Sequence, residues 1–189
     1  YLPPKYAHDG IAMGECMTWS IGFRSPQAGE LARELLLGLA DEAPDASGEG
    51  VYKDPGQPAV THPAAMPAEL LDFARQALAK AQRDPHLLAL LLGEYLTQPK
   101  ANVWFDAADA EHKLRGKGVV LDRRTRMMYD ERHVFINGEG FRVSGKDARL
   151  LRGLADERKL SAAASAALSE AAQDALQEWL RAGWLRAFV

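Results

Sequence analysis

The sequence predicts a helix-rich α+β chain, and three observations predict it. Near the start, Met17, Trp19, Ile21 and Phe23 alternate with Thr18, Ser20 and Gly22, the period-two pattern of a half-buried strand. From Leu31 to Leu96 leucines recur at helical spacing in three segments separated by Pro-rich breaks. Beyond Gly116-Lys117-Gly118 the pattern changes to short β-rich runs, a hairpin signal at Asn137-Gly138 and two further amphipathic helices.

The opening Tyr1-Leu2-Pro3-Pro4 is extended, because each proline fixes its own φ and biases the residue before it away from helix. His8 follows, just ahead of a Gly10 turn and the alternating run. An imidazole at a loop-to-strand junction is a suitable metal ligand, and a surface or structurally satisfied histidine is the competing reading. One histidine alone does not hold a catalytic metal.

Ser25-Pro26 reads as a helix start, with Ser as N-cap and Pro at the first position, and Leu31, Leu35, Leu36 and Leu39 mark its stripe to about Ala43. Pro44 to Pro67 is a surface loop; His62 within it reads as a packed loop histidine, since no other ligand-type residue clusters with it. Met66 to Gln82 forms a second amphipathic helix. Asp84-Pro85 opens a third, which is apolar almost all round and therefore must bury more than one face. Burial against an upstream domain or a second subunit is one expectation for it, and an intramolecular bundle is the other.

Val103-Trp104-Phe105 is an apolar anchor, and Asp106 is placed to cap a helix to about Arg115. Val119–Leu121, Arg126–Tyr129 and His133–Ile136 read as strands, with Phe141 and Val143 on the return from the Asn137-Gly138 turn. Ser144 and Ser169 cap helices, the second stopping at Gly183, and Trp184, Leu185 and Phe188 form a last strand or core plug. Short strands with two or three helices in so few residues suggest a winged-helix-like module. Such folds often read DNA, yet from Gly118 to Val189 there are 12 Lys and Arg against 10 Asp and Glu, interspersed along the sequence. DNA binding is therefore not expected. Arg123-Arg124-x-Arg126 reads as a solvated basic turn, with a contact to RNA or to the surface of a binding partner as the alternative.

The net charge of −3 argues against general nucleic-acid binding. The lone Cys16 permits no internal disulfide and fits a reducing cytoplasm, and no apolar run is long enough to span a bilayer. The 189 residues allow one or two domains with a real core.

Tyr1, Pro3, Pro4, His8, Asp9, Gly10, Ser20, Gly22, Phe23, Arg24 and Pro26 form a pattern that resembles the last strands of the JmjC (cupin-type) barrel of bacterial ribosomal oxygenases. Val51–Pro55 and His62-Pro63 match further downstream, and the order of helical and α+β segments agrees over essentially the whole chain. The resemblance implies the end of the barrel at 1–24, a helical dimerisation region at 25–117 and a winged-helix-like α+β domain at 118–189. It implies an iron(II)- and 2-oxoglutarate-dependent arginine hydroxylase, acting on a large-subunit ribosomal protein and working as a homodimer. In that family a His-x-Asp pair and a later histidine hold the iron, and His8 matches the later histidine. Thr18 matches a polar position near the co-substrate where Asn is usual.

None of the five histidines is followed two residues later by Asp or Glu, so the His-x-Asp half of the iron site is missing from this sequence. The upstream basic residue that would bind 2-oxoglutarate is missing too. The expectation is a C-terminal part of the enzyme, inactive by itself, with no residue of the catalytic step other than the ligand His8. A non-catalytic dimerisation and interaction module is the second reading, and a winged-helix regulator the third.

Overall fold

The computed structural model describes residues 2–3, 6–17, 19, 25–107, 114 and 116–188. Three helices come first: α1 (Ala28–Ser47), α2 (Ala68–Ala81) and α3 (Pro85–Thr97). They are followed by β1 (Gly118–Leu121), β2 (Met127–Tyr129), β3 (His133–Ile136), β4 (Glu139–Arg142), α4 (Gly145–Glu157), β5 (Lys159–Leu160), α5 (Ala162–Ala166), α6 (Glu170–Arg181) and β6 (Leu185–Phe188). The helix-rich α+β class is as expected.

α1 starts later and ends later than its sequence suggests. Gln27, not Ser25, is the N-cap residue; it is still extended (φ −85°, ψ 143°) and makes no side-chain cap bond. The helix also continues past Ala43 and through Pro44, ending where Gly48 takes φ 74° and its N–H closes on the Pro44 carbonyl. A proline near the C-terminus of a helix costs one backbone bond, and the remaining turn is still closed by that cap. Ser47 Oγ donates to the Ala77 carbonyl at 2.9 Å, tying α1 to α2. The Tyr52 ring packs edge-on against Phe73 at 5.7 Å, so the Gly- and Pro-rich loop is strapped across α2.

α3 begins as its sequence dictates, with the Asp84 carboxylate accepting from the His86 amide at 2.8 Å. Its nearly continuous apolar surface is covered only in part within the chain: Gly93 and Thr97 are its buried residues, its other leucines are half-buried, and Leu88 stays exposed. On one side Leu91 fills the space over Gly38 of α1; on the other Gly93 lies under the Phe135 ring of β3, and Leu90 and Glu94 press on Gly140 of β4. Thr97 joins the helix end to the hairpin tip, accepting from the Gly138 amide at 3.1 Å while donating to the Gly93 carbonyl at 2.8 Å. α3 is thus the element shared by the helical arm and the α+β module.

The module has two antiparallel sheets, ordered β5-β1-β6 and β2-β3-β4. Asn137 and Gly138 both adopt positive φ (48° and 95°), the requirement of the two-residue primed turn that their sequence signals. Ile136 then pairs with Glu139 and His133 with Arg142. Val119, Val134, Ile136, Leu154, Leu176 and Leu185 are almost wholly buried between the sheets, α4 and α6. Trp179 of α6 packs edge-on against Phe141 of β4 at 5.2 Å. Ser169 caps α6 by accepting from the Ala172 amide. β5 and α5 are additions to the expected element order. The five-residue α5 is capped by Ser161, which lies in an alanine-rich run with no clear apolar stripe.

The strand expected over 16–23 is not formed at its described positions. Cys16, Met17 and Trp19 lie outside any strand, and the Met17 and Trp19 side chains are exposed. A barrel strand needs hydrogen-bonded neighbours, and in the expected fold those come from upstream. The remainder of that run, and the helix expected from Asp106 to Arg115 at positions 108–113 and 115, lie outside the described residues.

Candidate functional site

His8 is exposed on an irregular segment, with Asp9 and Gly10 beside it. Among the described residues no group of three or more His, Cys, Asp or Glu side chains is arranged to hold a metal. Thr18 and Arg24 lie outside the described residues. An iron centre with open positions needs three protein donors on one face, and a lone exposed imidazole is one donor. The described residues therefore do not by themselves make an iron site.

His62 is also exposed, at the start of a turn closed by the Ala65 amide on the His62 carbonyl. His86 Nε2 lies 2.8 Å from Arg132 Nη1. His133 is the most enclosed of the described histidines. Its Nδ1 and backbone amide both address Asp130, at 3.2 and 2.6 Å. Burial raises the Asp130 carboxyl, but the Arg132 and His133 amides and the His133 ring outweigh it and hold the group below the ordinary carboxylate range. Burial pushes Glu94 upward. These groups fasten the β2–β3 turn and the α3 interface.

The basic turn does not point freely into solvent. Asp122, buried at the end of β1, accepts from Arg124 Nε at 2.8 Å, from the Arg124 amide at 3.0 Å and from Arg186 Nη2 at 2.9 Å. The Arg124 hydrogen bond, foremost, holds the Asp122 carboxyl at about 2 in spite of burial. Arg124 also donates to the Trp104 carbonyl at 2.7 Å and lies over the Phe105 ring at 5.5 Å, so the Val103-Trp104-Phe105 anchor docks on this hub. Arg126 donates to the Gln98 carbonyl at 2.8 Å. Two of the three arginines are thus structural ties, a role their sequence spacing did not reveal.

The helical arm has a different character. α1 has no fully buried residue along its whole length. Leu36, Leu37, Leu70, Leu71, Phe73 and Leu78 of α1 and α2 all remain exposed.

A two-sheet α+β module carrying a three-helix arm, preceded by a segment with one candidate ligand histidine, is the architecture of a winged-helix-containing α+β protein. A model described as "ROXA-like winged helix" matches residues 78–186, and one described as "JmjC domain" matches residues 1–31. The chain belongs to the ROXA-like winged-helix family, that of the ribosomal oxygenases. It is 32% identical over 101 residues to the ribosomal protein uL16 3-hydroxylase of Escherichia coli K12, covering 53% of this chain and 26% of that protein.

The crystal structure of Escherichia coli YcfD matches with a TM-score of 0.67 at 22% identity, over 89% of this chain and 46% of that one. The structure of YcfD, a ribosomal oxygenase, with cobalt and 2-oxoglutarate matches with a TM-score of 0.65 at 22% identity, over 89% of this chain and 48% of that one. The chain spans less than half the length of these solved relatives. The fold is therefore shared, helical arm included. Among the described residues no helix is long and apolar enough to cross a membrane.

Proposed function

We propose that this chain is the C-terminal part of an iron(II)- and 2-oxoglutarate-dependent oxygenase that hydroxylates an arginine of a large-subunit ribosomal protein in the cytoplasm. The observation that carries the reading is the order of parts. A JmjC match ends at residue 31 with His8 inside it, and a ROXA-like winged helix follows at 78–186. The similarity to a uL16 hydroxylase supports a ribosomal protein as substrate. In this reading residues 1–24 complete the upstream barrel, 25–117 form the dimerisation region and 118–189 the winged-helix-like appendage. His8 supplies the third protein ligand to iron, and Thr18 lies near the co-substrate. When bound, the iron would supply activation of oxygen, with 2-oxoglutarate as the source of two electrons.

A second copy of the chain covers the arm. Six large apolar side chains exposed along α1 and α2 support this, because exposed apolar side chains concentrated on one pair of helices are characteristic of interfaces. The winged-helix-like module is not suited to reading duplex DNA: Glu170, Asp174 and Glu178 recur every four residues along α6 and make one face of that helix acidic.

The test uses the complete protein, upstream half included, with and without His8→Ala. Succinate release and iron retained after gel filtration are both expected to collapse in the variant. Undiminished retention and turnover would refute the ligand role. If the complete protein neither binds 2-oxoglutarate nor retains iron, but still self-associates, the interaction-module reading replaces the enzyme.

A further inference from the structure

Arginines from a turn, a strand end and the helix that follows converge on one surface groove. Arg132 in the β2–β3 turn, Arg142 at the end of β4, and Arg149 and Arg152 on α4 line a groove of about 720 Å³. They are a third of the module's basic residues, and two carboxylates, Glu131 and Asp156, also line it, leaving an excess of two positive charges. Asp156 is already engaged, accepting from the Tyr129 hydroxyl at 3.0 Å. Among the described residues Arg142 and Arg149 have no ion-pair partner, although both are exposed. Arg152 donates to the Glu131 carbonyl at 2.8 Å and lies over the Tyr129 ring at 5.6 Å, and its Nε is buried without a partner. The first turn of α4 opens on the same groove, and Ser144 makes no side-chain cap bond there.

We propose that this groove binds single-stranded RNA. Guanidinium groups match phosphate oxygens with paired hydrogen bonds, and the uncapped amides of α4 add a favourable partial charge for an anion. Tyr129 is 41% exposed and already has Arg152 on its face, a platform on which a base stacks. An acidic peptide would use the arginines but leave that aromatic face idle. A duplex needs a protruding helix or ribbon to enter its groove, whereas this surface is concave. The site is independent of the iron chemistry, so its failure leaves the oxygenase reading standing.

The experiment is fluorescence anisotropy of a labelled short oligouridylate titrated with the chain, competed by oligoglutamate and by duplex DNA. Saturable binding is expected, with the logarithm of affinity falling against the logarithm of salt at a slope of about −2, the value for roughly three neutralised phosphates on a single strand. The double variant Arg142→Gln/Arg149→Gln is expected to weaken binding at least about tenfold with an unchanged melting temperature, since neither side chain has an internal tie. Tyr129→Leu is expected to weaken it several-fold, and the control Arg123→Gln/Arg181→Gln to leave it unaltered. Absence of saturable binding at low salt, equal loss in the control, or preferential displacement by oligoglutamate or duplex DNA would each overturn the assignment.

Discussion

Removing the charge on Asp122 is expected to unfasten three segments at once. The carboxylate joins the end of β1 to Arg124, hence to the Trp104-Phe105 anchor, and to Arg186 of β6. Its carboxyl lies at about 2 in the folded chain against an ordinary 3.8, a difference that corresponds to about 2 kcal/mol of folding stability at neutral pH. Because the folded value is depressed, that stability is complete above about 4 and is lost as the pH falls through 2; at pH 3 roughly half remains. Asp122→Asn keeps an oxygen acceptor for the Arg124 amide but not the charge. Urea unfolding of both proteins should therefore give a difference of about 2 kcal/mol at pH 7, narrowing towards pH 3. A difference that is below about 0.5 kcal/mol at pH 7, the range of an ordinary surface change, would refute the reasoning. So would a difference that does not change with pH.

Two further substitutions probe the arm. Gly93→Ala gains helix propensity worth about 1 kcal/mol, but its methyl group would overlap the Phe135 ring, which is almost fully buried. Overpacking of this kind costs about 1–3 kcal/mol, so a lower melting temperature is expected in a thermal scan, and a higher one would show that α3 does not seat on the sheet as described. Leu36→Asp combined with Leu78→Asp places two charges on the exposed apolar face of α1 and α2. If the proposed dimer forms, sedimentation velocity should show its loss with retained helicity, and an unchanged sedimentation coefficient at matched concentration would exclude this face as the contact.

Local chemistry was legible in the sequence and spatial convergence was not. Asn137-Gly138 names its turn because few other residue pairs accept positive φ twice in succession. Asp84-Pro85 names the start of α3 for a similar reason, a carboxylate acceptor followed by a residue with no N–H to satisfy. The apolar circumference of α3 correctly demanded two burial partners, but their identities depend on tertiary packing: α1 through Gly38, and the β3–β4 hairpin through Gly93 and Gly140. The basic residues show the same limit more sharply. Arg123-Arg124-x-Arg126 stands out as a cluster in sequence, yet two of its members are spent on Asp122 and Gln98. Arg132, Arg142, Arg149 and Arg152 look scattered and share one groove, because a hairpin and the helix after it bring them together.

At the N-terminal end the residues around His8 carry a readable motif, but a period-two pattern forms a strand only where a hydrogen-bonded neighbour is available, and none is formed at the described positions 16, 17 and 19. The alternation of Met17 and Trp19 with polar neighbours therefore yields exposed side chains here.

Residues 1–31 are proposed to complete an iron oxygenase whose target is a ribosomal protein. This is tested most directly by mass spectrometry of large-subunit ribosomal proteins from cells with the intact gene and from cells in which His8 is replaced by Ala. One arginine-containing peptide is expected to carry the mass of one added oxygen atom only when His8 is present. Identical peptide masses in the two strains, with the variant protein expressed at the normal level, would contradict it.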